Sequence, residues 1–99
     1  MSDDIIRHVS VHGRVQGVGY RAFVENRATE LGLAGWVRNR RDGSVEAVFA
    51  GARAAVDDMI EACRNGPRGA RVDALAQRDG AESDLTDGEP DAFVCRPTV

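Results

Sequence analysis

The chain has 99 residues, 42% of them hydrophobic, and a formal net charge of −3. That length suits one domain over residues 1–99, with a core small but sufficient for unaided folding. The acidic balance gives no basic footprint for nucleic acid, and no stretch approaches the ~18 apolar residues of a membrane span.

The 13 cationic side chains are all arginine, because the sequence contains no lysine. This excludes Schiff-base chemistry and the lysine-bearing phosphate loop of nucleotide-binding proteins. Cys63 and Cys95 form no Cys-x-x-Cys pair, and the N-terminal Met-Ser-Asp-Asp lacks the form of a signal peptide. Reduced thiols in a cytoplasmic protein are the expectation.

In chain order, Ile5 to His12 alternates as a half-buried strand, with Ile5, Val9 and Val11 on one face and His8, Ser10 and His12 on the other. A glycine-rich loop runs from Gly13 to Gly19. Tyr20, Phe23, Val24, Ala28 and Leu31 then recur at three- and four-residue steps, which predicts a helix over 20–31 stopped by Gly32. Leu33 to Arg40 reads as a second strand, Asp42-Gly43 as a hairpin signal, and Val45 to Ala50 as a third strand ended by Gly51. Val56, Met59, Ile60 and Cys63 form the stripe of a second helix over 52–64, broken by Asn65-Gly66-Pro67. Ala70 to Ala76 suits a fourth strand. Residues 79–91, acidic and rich in Gly, Asp and Ser, read as a solvated loop. Ala92 to Arg96 fits a short last strand with Phe93 and Cys95 inward. The order β-α-β-β-α-β predicts an α+β, ferredoxin-like sandwich, one antiparallel sheet with both helices on one face.

Chemistry concentrates in the loop. Gly17 and Gly19 permit backbone conformations closed to other residues. The N–H groups of Val15, Gln16, Gly17, Val18, Gly19 and Tyr20 can then converge on phosphoryl oxygens, with the helix dipole behind them and Arg21 closing the cage. The same residues also fit a plain strand-to-helix turn with a surface arginine. A cation in the first helical turn is mildly disfavoured by the dipole, and an anion there would offset that. Asn39 falls on the face of Leu33 and Val37, so its amide needs partners. It either shapes the turn before Asp42-Gly43 or holds a water molecule.

Arg40 and Arg41 fit a solvated hairpin tip better than an attractor of anionic substrates. His8 and His12, about 13 Å apart in an extended strand, are expected to be plain surface histidines. Cys63 is assigned to the core. Trp36 is expected to cover the exposed side of the sheet with Val48, or to pack near the acidic loop.

Val11 through Arg21 matches an aliphatic residue followed by x-Gly-x-Val-Gln-Gly-Val-x-aromatic-Arg. Gly35 through Gly51 matches Gly-aromatic-Val-Arg-Asn-x-x-x-Gly-x-Val-x-x-x-x-x-Gly. In both motifs the chain resembles the acylphosphatase family, and Gly66-Pro67, Ala70, Val72 and Phe93 to Arg96 are also similar to it. Tyr20 stands where phenylalanine is commonest, and Cys95 where a larger aliphatic residue is usual. The resemblance implies hydrolysis of acyl phosphates to carboxylate and phosphate. It implies that the amides of residues 15–20 and Arg21 bind phosphate, that Asn39 positions the attacking water, and that no metal or organic cofactor takes part. The expected partner is a small-molecule acyl phosphate, with no nucleic acid or membrane, and the expected state is a monomer. Two other readings stand beside it: a non-catalytic anion- or partner-sensing module on the same fold, and a carbamoyl-phosphate-handling domain such as begins larger maturation proteins.

Overall fold

The computed structural model describes residues 3–85 and 92–99. The elements are β1 (Asp4–Arg14), α1 (Tyr20–Glu30), β2 (Ala34–Asn39), β3 (Val45–Ala52), α2 (Arg53–Asn65), β4 (Arg71–Asp79), a 3-10 turn (Glu82–Leu85) and β5 (Phe93–Cys95). The sheet order is β4-β1-β3-β2-β5. The pairs β1/β3, β1/β4 and β2/β3 are antiparallel, while β5 runs parallel to β2. The fold is the expected ferredoxin-like α+β sandwich, with a mixed sheet because of that last pairing.

One face of the sheet carries the core. Val9, Val11, Val37, Val45, Ala47 and Phe49 pack against Tyr20, Val24 and Ala28 of α1 and Val56, Met59, Ile60 and Cys63 of α2. The two-residue period of the strands and the three-to-four-residue period of the helices each supply one apolar face, and burying both drives the sandwich together. Phe93 closes the core edge, stacked on Phe49 with ring centroids 5.5 Å apart.

The other face is not simply solvated. β4 runs to Asp79 rather than ending near Ala76, and the chain must then cross the sheet to reach β5 at the opposite edge. The described part of the acidic segment makes a 3-10 turn on the way, and Asp84 O accepts a hydrogen bond from Trp36 Nε1 at 2.6 Å. Residues 86–91 lie outside the described residues. Trp36 and Val48 are buried beneath this cover, and the guanidinium groups of Arg38 and Arg96 lie 4.6 and 4.9 Å from the indole centroid. Both expectations for Trp36 therefore hold together.

β1 is longer than its alternating pattern indicates. It continues to Arg14 through a bulge between His12 and Gly13, where a Cβ on residue 13 would lie 2.1 Å from Arg71 O. Only glycine admits that approach, so the loop proper starts at Val15. Because β1 and β2 both run antiparallel to β3, Arg14 and Asn39 leave the sheet at the same end, where α1 begins.

Tyr20 opens α1 with its ring in the core, and its hydroxyl donates to Cys63 O at 2.7 Å. The hydroxyl neither reaches solvent nor lines the loop. Burial pushes the Tyr20 phenol well above its ordinary pKa, so it stays a neutral donor. Tyr20→Phe removes the donor and leaves a carbonyl near the end of α2 unpaired by it. Urea denaturation should show a loss of about 1–2 kcal/mol.

Candidate active site

The loop between β1 and α1 is pinned at both ends by Val15 and Tyr20, each buried in the core. Between these anchors Gly17 and Gly19 adopt φ of 73° and 79°, the left-handed region. A Cβ on either would meet nothing within 4 Å, so glycine is required there by backbone conformation and not by crowding. Gly19 caps α1 in this conformation, with no side-chain cap and no acidic residue in the first turn. The first helical hydrogen bond is Phe23 N to Gly19 O at 3.0 Å. Among the described residues, no acceptor is paired with the main-chain N–H groups of residues 15–22. That is a run of donors at the positive end of a helix.

Arg21 is half-buried in the first turn and makes no hydrogen bond or ion pair with a described residue. It lies near Cys95, which shares a face with Phe93 but is exposed where the helix no longer covers the sheet. Partial burial raises the Cys95 thiol pKa and the Glu25 carboxylate raises it further, while Arg21 acts against them. Cys95 is thus a solvent-facing thiol at the rim rather than an inward one. Cys63 is in the core as expected, and burial pushes its thiol up to about 12.

Asn39 ends β2, opposite Val45. Its Oδ1 is buried and has no hydrogen-bond donor among the described residues. A buried amide oxygen without a donor is uncommon in folded proteins, and it is ready to accept from a small donor such as water. Its main-chain oxygen accepts from Val99 N at 3.2 Å.

Gln16 joins loop to hairpin. Its Nε2 donates to Arg40 O at 2.7 Å and to Ser44 O at 2.8 Å, both in the β2–β3 connection that follows Asn39. Within it Arg40 N donates to Ser44 O at 2.8 Å and closes a three-residue turn over 41–43, in which Gly43 adopts φ of 95°. Asp42 Oδ1 accepts from Ser44 N and Oγ at 2.8 and 2.6 Å, and those bonds hold its carboxyl below its ordinary pKa. Loop, Arg21 and Asn39 thus gather at one end of the sheet.

On the opposite face, paired with Arg38, the residue before Asn39, lies Glu46. One carboxylate oxygen accepts from Arg38 Nε at 2.8 Å and Arg40 Nη1 at 3.0 Å, and the other lies 2.6 Å from His8 Nε2. His8 is therefore no solitary surface histidine, and Arg40 is not merely a solvated tip; His12 and Arg41 are exposed as expected. Burial raises the Glu46 pKa, but the bonds from His8, Arg38 and Arg40 outweigh it and hold the carboxyl at about 2.

The Gln16 side chain and Glu46 are the two contributors that motif reading leaves out. Glu46 carries a trace in the sequence, the one charge inside Val45 to Ala50. Gln16 stands in the first motif, but its partners carry no trace, because its acceptors are main-chain atoms distant in sequence. Among the described residues, no group of three or more His, Cys, Asp or Glu side chains is placed to hold a metal ion. No helix among them is long and apolar enough to cross a membrane.

Fold and site together define a class: a ferredoxin-like α+β protein with a donor-rich loop at the head of its first helix and an unpaired carboxamide beside it. Residues 7–89 match the model of the acylphosphatase family. A protein of Nitrobacter hamburgensis named acylphosphatase is 53% identical over 98% of this chain and 99% of its own length. The structure of an acylphosphatase from Coxiella burnetii superposes with a TM-score of 0.83 at 34% identity, covering 95% of this chain and 94% of that one. The acylphosphatase from Bacillus subtilis gives a TM-score of 0.81 at 34% identity, covering 93% and 98%. The chain belongs to the acylphosphatase family and is a hydrolase of that type.

Gln16→Ala removes the side-chain donor from two hairpin carbonyls, each of which keeps one main-chain donor, Gly43 N on Arg40 O and Arg40 N on Ser44 O. Urea denaturation should give a loss of about 1–3 kcal/mol, and a value near zero would mean that the bridge carries no stability. Acid provides a separate check on Glu46. The folded protein keeps this group ionised down to about 2, whereas its ordinary value is 4.5. The unfolded chain therefore takes up the proton first as pH falls, so the stabilisation present above pH 4.5 is lost between 4.5 and 2. The urea midpoint of the parent should fall more steeply across that window than that of Glu46→Gln.

Proposed function

We propose that the protein hydrolyses acyl phosphates by in-line attack of a water held by Asn39 on a phosphoryl group. In this reading the amides of Val15, Gln16, Gly17, Val18, Gly19 and Tyr20 and the guanidinium of Arg21 bind that group. The observation that carries the reading is the buried Asn39 Oδ1, which has no donor among the described residues, at the same end of the sheet as a loop whose N–H groups have no acceptor among them. A module that only binds an anion has use for the loop but not for a carboxamide oxygen free to orient water.

The chemistry follows from those parts. Phosphoryl transfer needs placement of the nucleophile and stabilisation of charge on the equatorial oxygens, and preorganised amides with an arginine supply the second. The water oxygen bonds to phosphorus while the bond from phosphorus to the acyl oxygen breaks. The electron pair departs with the carboxylate, a leaving group too weakly basic to need a general acid. The proton of the water passes to a phosphoryl oxygen. None of these roles calls on a metal or an organic cofactor.

Phosphate release from acetyl, benzoyl and carbamoyl phosphate, with a phosphomonoester as control and a chelator present, tests the activity and separates the substrates. Loss of turnover on chelation would contradict the metal-free scheme. Arg21→Ala should abolish measurable affinity for inorganic phosphate by calorimetry. Asn39→Ala should keep that affinity within about twofold yet lower kcat by about 100-fold or more. Parental turnover in Asn39→Ala would end the water-positioning role, and phosphate binding without any hydrolysis by the parent would favour the binding module.

A further inference from the structure

Asn39 Oδ1 has no donor among the described residues, so the direction of the carboxamide is set largely by the backbone that carries it. That backbone is the last residue of β2, a strand end, where ladders fray first. The neighbours of Asn39 on both sides, Arg38 and Arg40, reach through to the other face of the sheet and end on the same atom, Oε1 of Glu46. Side chains alternate along a strand, so two neighbours held behind the sheet force the residue between them to project from the front.

The grip is built to be stiff. Glu46 sits on β3, opposite Arg38 of β2 and Ser10 of β1, in the middle of the sheet. Its side chain is 11% exposed and its second oxygen is taken by His8 of β1. A carboxylate this enclosed, with every partner present, is costly to disturb by removing any one of them. Gln16 meets the same segment from the loop side, at Arg40 O, so the residue after Asn39 is restrained at both side chain and main chain.

We propose that Glu46 is a positioning residue for the hydrolytic step: from the back of the sheet it holds Arg38 and Arg40, and through them it aims the Asn39 carboxamide at the attacking water. This rests on the reading of Asn39 given above. Glu46 acts through Arg38 and Arg40, from the face of the sheet opposite the Asn39 carboxamide. Its loss relaxes the nucleophile's placement while the phosphate loop, carried by β1 and α1, keeps its form.

Glu46→Gln tests this, with kcat for benzoyl phosphate, the inhibition constant of inorganic phosphate and the Asn39 side-chain amide signals in nitrogen–proton spectra measured together. The expected result is a fall in kcat of about tenfold, a phosphate constant within about twofold of the parent, and Asn39 side-chain signals shifted or broadened while those of Gly17 and Gly19 stay in place. A folded Glu46→Gln with parental kcat would overturn the inference, as would equal losses of turnover and phosphate binding, which mark general loosening. Should Glu46→Gln fail to fold, Arg40→Gln releases one of the two grips at a half-exposed side chain and should lower kcat severalfold with the same phosphate constant. Parental kcat in that variant overturns the inference equally. The two readings fail separately: parental turnover in Asn39→Ala sinks the role of Asn39, whereas an inactive Asn39→Ala beside a fully active Glu46→Gln sinks only that of Glu46.

Discussion

One amide side chain joins the two halves of the site. The glycine loop belongs to β1 and α1, Asn39 belongs to β2, and β3 stands between β1 and β2 in the sheet. Gln16 spans the gap by donating to two carbonyls of the hairpin, 24 and 28 residues away. Each such bond is worth only about 1 kcal/mol net, so its importance is geometric. Once Nε2 is committed to Arg40 O and Ser44 O, the loop cannot shift without pulling on the segment that follows Asn39. The unpaired N–H groups of the loop and the unpaired oxygen of the carboxamide thereby keep a constant relation.

Those unpaired groups are the counterpart of that rigidity. A folded chain normally pairs its buried polar atoms. Here the core is apolar, yet a run of amides and one buried oxygen lack partners among the described residues at a single end of the sheet. Val15 and Tyr20 hold the ends of the loop in the core, and between them Gly17 and Gly19 take left-handed backbone. Charge stabilisation by fixed dipoles needs this kind of preorganisation, because dipoles already in place need not reorganise during the reaction.

The two faces of the sheet divide the work. The helix-covered face is apolar and supplies the bulk of the burial. The other face holds a carboxylate among an imidazole and two guanidinium groups, and an indole in contact with two guanidinium groups and with Asp84 O of the 3-10 turn. Enclosing Glu46 would be unfavourable alone; it is tolerated because three partners arrive from two neighbouring strand segments at once. After the turn whose Asp84 O meets Trp36, the chain reaches the far edge of the sheet, where β5 lies parallel to β2.

Much of this was legible in the residues themselves. Periodicity placed both helices and all five strands, and Gly17, Gly19 and Arg21 at a strand-to-helix junction marked the loop. The order of elements, with two long motifs, named the fold and the family. These are local properties: a dihedral preference, a repeat of two or between three and four, a motif contiguous in the chain. Other features were not legible, because they depend on which distant atoms meet. The Asp42-Gly43 pair announced a hairpin, but only the folded sheet set Arg38 against Glu46, across a three-residue turn. Strand alternation placed His8 on the outer face without saying that a carboxylate 38 residues away would meet it. The Tyr20 hydroxyl took a carbonyl of α2 in place of solvent. Sequence determined what each segment would become and which chemistry it carried; tertiary structure decided the partners, because register, crossing and burial are set by the whole core at once and no single segment contains them.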